Sequence, residues 1–323
     1  MSLVTLKGPT WVTVRQHRKA LWVALALAGI AVVGLVTSRL WSDAAAEALR
    51  AAGCTVSSEK QQCFQPTRDY LDDQWAVRHV VEYAALGMLA LPALLGAFVA
   101  GPMLARELES GTYKLAWTQG VRPSRWLAAK LAVPGVLALV GVPLLSAVFY
   151  WAWTTGPAHD YPTYWYEPIM FASHGVVPVA HTLLGLAVGA AAGMLVRRTV
   201  LAMSVTALVT GAALAVLAWA RPGLWPARLL TGHDLSLRAS KDWALDAGML
   251  TASGERLRWD DCLAARPDGV RECLADRGGV TDFIEYHPAS HFWPIQLVET
   301  AICLALAALA LYTAFRVLRK RHA

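Results

Sequence analysis

Few residues of this chain could do chemistry, and their positions are telling. Glu299 is the only formally charged side chain within six long apolar runs: Ala20–Ser38, Tyr83–Ala105, Leu131–Thr155, Gly175–Val196, Thr199–Ala220 and Ile295–Phe315. A carboxylate there would contact a substrate or gate a passage, because an ionisable group in an apolar span is expensive to keep. The bland alternatives are hydration near a surface or pairing with a neighbour. His181, in the fourth run, reads as a hydrogen-bonded packing histidine in preference to a proton relay. Glu82, beside Arg78 and His79 at the entrance to the second run, reads as a solvated interfacial carboxylate. His159, Glu167 and His174 lie close in sequence, but their spacing fits no metal-ligand motif.

The cysteines support a redox reading and no catalytic one. Cys54 and Cys63 lie in one polar segment, Cys262 and Cys273 in another, and Cys303 falls inside the sixth run. Two close pairs in polar segments, with no Cys-x-x-Cys, predict two disulfides in an oxidising exterior and one free thiol. The phosphate loop Gly-x-x-x-x-Gly-Lys-[Ser/Thr], the zinc helix His-Glu-x-x-His and the nucleophile turn Gly-x-Ser-x-Gly do not occur. The expectation is a chain that is no enzyme and binds no cofactor.

The elements that must position these residues are membrane spans. The chain is 56% hydrophobic and only 16% charged, whereas soluble domains carry about 25% charged residues. Each run approaches or exceeds the roughly 20 residues that a helix needs to cross a bilayer core. The first run lacks a small-x-small exit, so it is kept as a span and not a signal peptide. Basic residues set the orientation. With both termini inside, the inner segments hold Lys7, Arg15, Arg18, Lys19, Arg106, Lys114, Arg122, Arg125, Lys130, Arg197, Arg198, Arg316, Arg319, Lys320 and Arg321, against only Glu107 and Glu109. The net charge of +6 is therefore a topology signal, and no nucleic-acid partner is expected. The fold class expected is all-α, polytopic, with six transmembrane helices and both termini cytoplasmic.

Four parts follow in chain order. Residues 1–19 form a cytoplasmic segment, with Thr10–Lys19 as an amphipathic helix on the inner leaflet. Residues 20–220 hold the first five spans, an external loop 39–82 and a cytoplasmic hairpin 104–130. Helices are expected over Ala44–Ala52 and Tyr70–Val81. Residues 221–294 lack a long apolar run and form at most a small disulfide-stapled external subdomain. Residues 295–323 hold the sixth span and a basic tail. Gly185, Gly189 and Gly193, at i, i+4 and i+8, form a flat stripe for close helix packing. Arg197 and Arg198 make a tight turn between the fourth and fifth spans.

The hairpin is too patterned for a passive connector. Leu104, Leu108 and Leu115 share a helical face, with Arg106, Glu107 and Glu109 off it. Gly111 offers a helix stop and Thr112 a new start. Glu107 and Glu109 read as an exposed acidic pair facing a basic groove on a partner, with Leu108 and Leu115 supplying apolar contact.

The run Arg106-Glu107-Leu108-Glu109-Ser110-Gly111-Thr112, then Trp117-Thr118-Gln119, then Arg122-x-x-Arg125-Trp126-x-x-x-Lys130, resembles the first cytoplasmic loop of ABC-2 type permeases. With Trp11…Arg15-Gln16-His17-Arg18 near the start, the chain is most similar to the actinobacterial group. The resemblance implies the membrane subunit of an ATP-driven exporter in a bacterial plasma membrane. It implies two cytoplasmic ATPase subunits carrying ATP and Mg, and a second permease copy or a similar permease. The ATPase-coupling residues would be Arg106, Glu107, Leu108, Glu109, Gly111, Thr112 and Leu115, and the cargo an amphipathic antibiotic, peptide or lipid. Two rivals stand beside it. One is a proton-driven secondary transporter using Glu299, Glu82 and His181, against which stands the lack of an evident inverted repeat. The other is a membrane sensor or scaffold working through residues 221–294.

Overall fold

The computed structural model describes residues 15, 18–118, 122–154, 161, 163–232, 235, 237, 241–263 and 269–320. The Thr10–Lys19 segment, His159 and the Leu115 side chain lie wholly or largely outside the described part. Among the described residues six helices are long and apolar enough to cross a membrane. They contain the six apolar runs almost entirely, and several overshoot them at polar ends.

Helix α1 spans Arg18–Ala51 and α2 spans Phe64–Leu95. The expected helices at Ala44–Ala52 and Tyr70–Val81 are thus extensions of the first two spans. Ser42 Oγ donates to Gln74 Oε1 at 3.0 Å, joining α1 to α2 through two buried side chains. The Cys54–Cys63 disulfide closes the turn between these helices, against Ala45, Leu49 and Tyr70. Beyond α2 the helix continues through a π-helical turn, Gly96–Ala100, into α3, Gly101–Ser110. The turn lies between Pro92, which removes a backbone donor within α2, and Pro102 at the start of α3.

Gly111 ends α3 in the left-handed region at φ 72°, as its expected role as a stop requires. The short α4, Tyr113–Thr118, starts directly after Thr112, and α5 runs Pro123–Thr154. Then come a four-residue α6, Pro168–Phe171, then α7, Val177–Val196, and α8, Thr199–Ala220. Arg197 is left-handed at φ 56° and its N–H bonds Gly193 O, which makes the tight turn into α8. Helix α7 is buried along most of its length, so it serves as the axis of the helical assembly.

Close approach explains the small residues of α7. A Cβ at Gly189 would lie 2.5 Å from Gly96 O, and one at Gly193 would lie 2.8 Å from Gly101 O. Gly185 meets the backbone of Pro92 more tightly still. The glycine stripe thus packs within the chain, backbone against backbone, onto the π-turn and its flanking residues.

The chain divides into two compact units. The first comprises residues up to Pro162, Pro168–Val216 and Glu299 onward. The second comprises Thr163–Glu167 and Leu217–Val298, and it departs from an all-helical plan within a mostly helical chain. It carries a four-stranded antiparallel sheet in the order β1-β4-β2-β3, from β1 Arg228–Gly232, β2 Trp243–Thr251, β3 Arg256–Arg258 and β4 Gly279–His287. Leu230 pairs with Ile284 and Gly248 with Phe283, and a bulge lies between Ala244 and Asp246. Helices α9, Asp260–Leu263, and α10, Val270–Asp276, are joined by the Cys262–Cys273 disulfide. That bridge packs with Met249, Val270 and Leu274 in a small core. The staple expected from the cysteine spacing is present, and Cys303 is buried and in neither disulfide. Helix α11, Phe292–Lys320, completes the chain.

Candidate functional site

Two clusters contain most of the residues that sequence reasoning singled out. The first is the α3–α4–α5 hairpin. Leu104, Trp126, Leu127, Ala190, Met194, Ala314 and Leu318 form one buried cluster, and Leu108, Tyr113 and Trp117 pack against it. Helices α3, α5, α7 and α11 all contribute. Leu108 therefore faces the chain's own core, which corrects the expectation that it supplies apolar contact to a partner.

The acids are likewise occupied. Lys130 Nζ donates to Glu107 Oε1 at 2.5 Å, and Trp126 Nε1 donates to Glu107 Oε2 at 3.2 Å. The two charged side chains are only 9% and 17% exposed. Glu109 accepts from the Thr199 backbone N–H at 3.0 Å and from Thr199 Oγ1 at 2.7 Å, at the start of α8. A carboxylate suits that place because a helix N-terminus leaves N–H groups unpaired and carries partial positive charge. The expectation of an exposed acidic pair is corrected for Glu107, which is half-buried; Glu109 is exposed, although it is bonded to Thr199. Both acids tie the hairpin to its own helices, and Glu107 does so half-buried. Among its described residues the hairpin exposes mainly basic and polar side chains, Arg106, Ser110, Thr112, Lys114, Arg122 and Arg125, together with the acid Glu109. Sequence reasoning missed the Glu107–Lys130 pair. Its available signal was opposite charge on the two flanks of one hairpin, each beside a span.

The second cluster lies within the helices of the first unit. His181 Nε2 and Glu299 Oε1 are 2.9 Å apart, joining α7 to α11 across 118 residues of sequence. Their side chains are 2% and 0% exposed. Hydration of Glu299 near a surface is thus overturned, and pairing with a neighbour is what the structure has. The next residue in sequence, Thr300, has its Oγ1 buried without a hydrogen-bond partner among the described residues. The Thr182 hydroxyl is used locally, on Pro178 O.

The remaining candidates are structural. Glu82 pairs with Arg78 at 2.6 Å and His79 at 3.4 Å. Glu167 accepts the Tyr164 N–H. His174 Nδ1 donates to Met170 O, and its ring packs on Tyr150 and Trp153. Burial pushes that imidazole down to about 4, so it stays neutral at physiological pH. Among the described residues no three metal-ligating side chains come together.

A family model described as ABC-2 membrane transporter related matches residues 23–221. The chain belongs to that family. No curated protein and no solved structure matches it. Membership of the ABC-2 family makes this chain part of a transport system, and the six apolar helices make it a multi-pass membrane protein. The matched residues include the hairpin and His181. Glu299 and the four-stranded sheet lie beyond them.

Proposed function

We propose that this ABC-2 family member is the permease subunit of an ATP-driven exporter, with both termini and the 104–130 hairpin in the cytoplasm of a bacterial cell. Two cytoplasmic ATPase subunits bind ATP and Mg, and two permeases, identical or similar, form the membrane part. The hairpin is the coupling element. The single observation that carries this reading is that the hairpin shares one buried cluster with α5, α7 and α11. A push on its exposed face is passed to those helices as a rigid movement, because packed cores switch between discrete arrangements and do not deform smoothly. The surface offered to the ATPase is the basic set Arg106, Lys114, Arg122 and Arg125, which suits an acidic groove. Charges at such a rim set orientation and encounter rate. The cargo is an amphipathic molecule, and the oxidising exterior holds both disulfides.

The test is co-expression with a cytoplasmic ABC-type ATP-binding subunit, sought first in the neighbouring reading frame. Tagged permease is expected to retain the ATPase in stoichiometric amount, and Arg122→Glu with Arg125→Glu is expected to lower retention at least tenfold at equal membrane expression. Absence of the ATPase from wild-type permease would overturn the reading. A cysteine at Ser124 is expected to resist an impermeant thiol reagent on intact cells, while one at Ser253 reacts. Labelling at Ser124 would reverse the orientation.

One observation favours the secondary-transporter reading instead: the buried His181–Glu299 pair. Uptake or export driven by an imposed pH gradient, without the ATPase, would decide for it.

A further inference from the structure

We propose that the N-terminal end of α2 carries a binding site for a compact zwitterion with an apolar side chain, an α-amino acid being the simplest case. The site is a cavity of about 340 Å3, at the lower end of the roughly 300–1,000 Å3 that small-molecule sites occupy. The inference does not rest on the exporter reading.

Three segments of the first unit build the cavity: the turn closed by the Cys54–Cys63 disulfide, the first turns of α2, and Tyr161. Val56, Phe64, Leu71 and Tyr161 supply an apolar wall. Val56 is 41% exposed and Phe64 65%, so the wall is open to its surroundings. Those surroundings are water and not lipid. Asp72, also in the lining, stands 11 residues before Tyr83, where the second apolar run begins. At about 1.5 Å of helix per residue, the cavity lies roughly 16 Å clear of that run. A ligand that covers the Phe64 ring there gains the apolar area it removes from water. The two sides of the wall are fixed in advance. Leu71 packs on the disulfide cluster, and Tyr161 meets Trp75 edge to face at 5.4 Å. A site fixed before its ligand arrives loses less to ordering.

The polar groups select the ligand. The Ser58 hydroxyl, in the lining, is shared with Thr55 at 2.8 Å, and Asp69 is bonded by Gln65 at 2.8 Å. Thr67, Arg68 and Asp72 complete the lining. The Thr67 Oγ1 is buried without a hydrogen-bond partner among the described residues. Arg68 Nε and Asp72 Oδ2 are 4.0 Å apart, too far for a hydrogen bond, and their side chains are 78% and 76% exposed. So weak a surface pair parts at little cost. A cation drawn to Asp72 arrives beside the Arg68 guanidinium, and an anion drawn to Arg68 arrives beside the Asp72 carboxylate. Each is repelled by one charge as it is attracted by the other. A ligand that carries both charges on neighbouring atoms satisfies both. Its carboxylate accepts from the guanidinium, its ammonium donates to Asp72, and the charge of the site is unchanged. An α-amino acid has those two groups on one carbon, and its side chain then lies on the apolar wall. The Thr67 hydroxyl serves either end, as donor or acceptor.

L-phenylalanine, phenethylamine and 3-phenylpropionate are matched probes. They share one aromatic body, suited to the Phe64 and Tyr161 rings, and carry both charges, the positive alone and the negative alone. Binding to the purified full-length chain in lipid nanodiscs is measured by calorimetry at neutral pH. Phenylalanine is expected to bind saturably, and about fivefold or more tighter than either other probe. Arg68→Gln should bring phenylalanine to the phenethylamine level or below, and Asp72→Asn to the phenylpropionate level or below. Tyr161→Ala should weaken all three. Both charged side chains are exposed, so the two charge variants are expected to keep the wild-type thermal midpoint. If either fails to fold, the three-probe comparison on the wild type decides alone. Equal affinity for the three probes, preference for a singly charged one, no saturable binding of phenylalanine, or an unchanged preference in both charge variants would overturn the proposal. No ATPase enters the measurement, so its outcome is separate from that of the permease reading.

Discussion

Alanine at Gly189 is expected to be among the most damaging methyl groups that this chain could receive. The new Cβ would lie 2.5 Å from Gly96 O, 3.0 Å from the Ala100 Cβ and 3.0 Å from Gly101 N. Two of these three atoms belong to backbone, so no side chain can swing away. Overpacking of a core costs about 1–3 kcal/mol, and a backbone clash belongs at the upper end. The opponent is also the π-turn Gly96–Ala100, whose backbone already departs from regular α-helix. The helix through Gly189 must therefore withdraw from α2 and α3 as a body. The expected result is a fall in the thermal midpoint of purified protein on the order of 5 °C or more, with loss of transport. Gly189→Leu should not yield a monodisperse protein at all. Gly211→Ala is the control. A Cβ at that spanning-helix glycine meets nothing within 4 Å, and alanine there should be neutral or stabilising by up to about 1 kcal/mol. Equal midpoints for Gly189→Ala and Gly211→Ala would show that the stripe is not a contact surface.

That stripe illustrates what the sequence could and could not reveal. Three glycines at a four-residue interval announce a flat helix face, but not whether the face meets the same chain or another. The answer depended on α2 passing it, and on Gly96 and Gly101 standing opposite, far away in sequence. The six spans were legible because lipid demands long apolar runs and tolerates few charges. Gly111 and the Arg197–Arg198 turn were legible because a left-handed residue or a tight turn is a local property. The disulfides were legible from short spacing. The sheet of the second unit was not. β3, Arg256–Arg258, is only three residues and largely exposed, and the nine-residue β2 and β4 show no regular in-out alternation of burial, so the period-2 signal is weak. The partners of charged residues were hardest of all. Glu299 and His181 were each singled out, one as a candidate and one as packing, yet nothing in either neighbourhood says that they touch. Glu107 and Glu109 looked like a displayed pair because adjacent charges of one sign suggest a surface. Their partners, Lys130 and Thr199, come from other elements, and only the fold brings them together.

The hairpin's inward acid leads to the second large effect. Replacing Glu107 by alanine would leave the Lys130 ammonium 9% exposed and without its carboxylate, and the Trp126 indole N–H without its acceptor. Breaking one side of a buried pair costs about 3–5 kcal/mol, because the remaining charge has lost both water and partner. The low end, about 3 kcal/mol, applies to a pair with some residual exposure. Lys130→Met should cost a similar amount by stranding Glu107. The double variant Glu107→Leu with Lys130→Met should recover much of the loss, since apolar groups of similar length fit against Leu104, Trp126 and Leu127. Such recovery gives a coupling energy of 1 kcal/mol or more in a double-mutant cycle. Glu109→Ala should be milder, because Glu109 is exposed and its Thr199 donors can turn to water. Function need not follow stability here. If the pair serves only to hold the hairpin on its cluster, the double variant should regain transport along with its midpoint. Additive destabilisation by the two single changes would mean that Glu107 and Lys130 do not act as a pair, and that the hairpin is held by its apolar cluster alone.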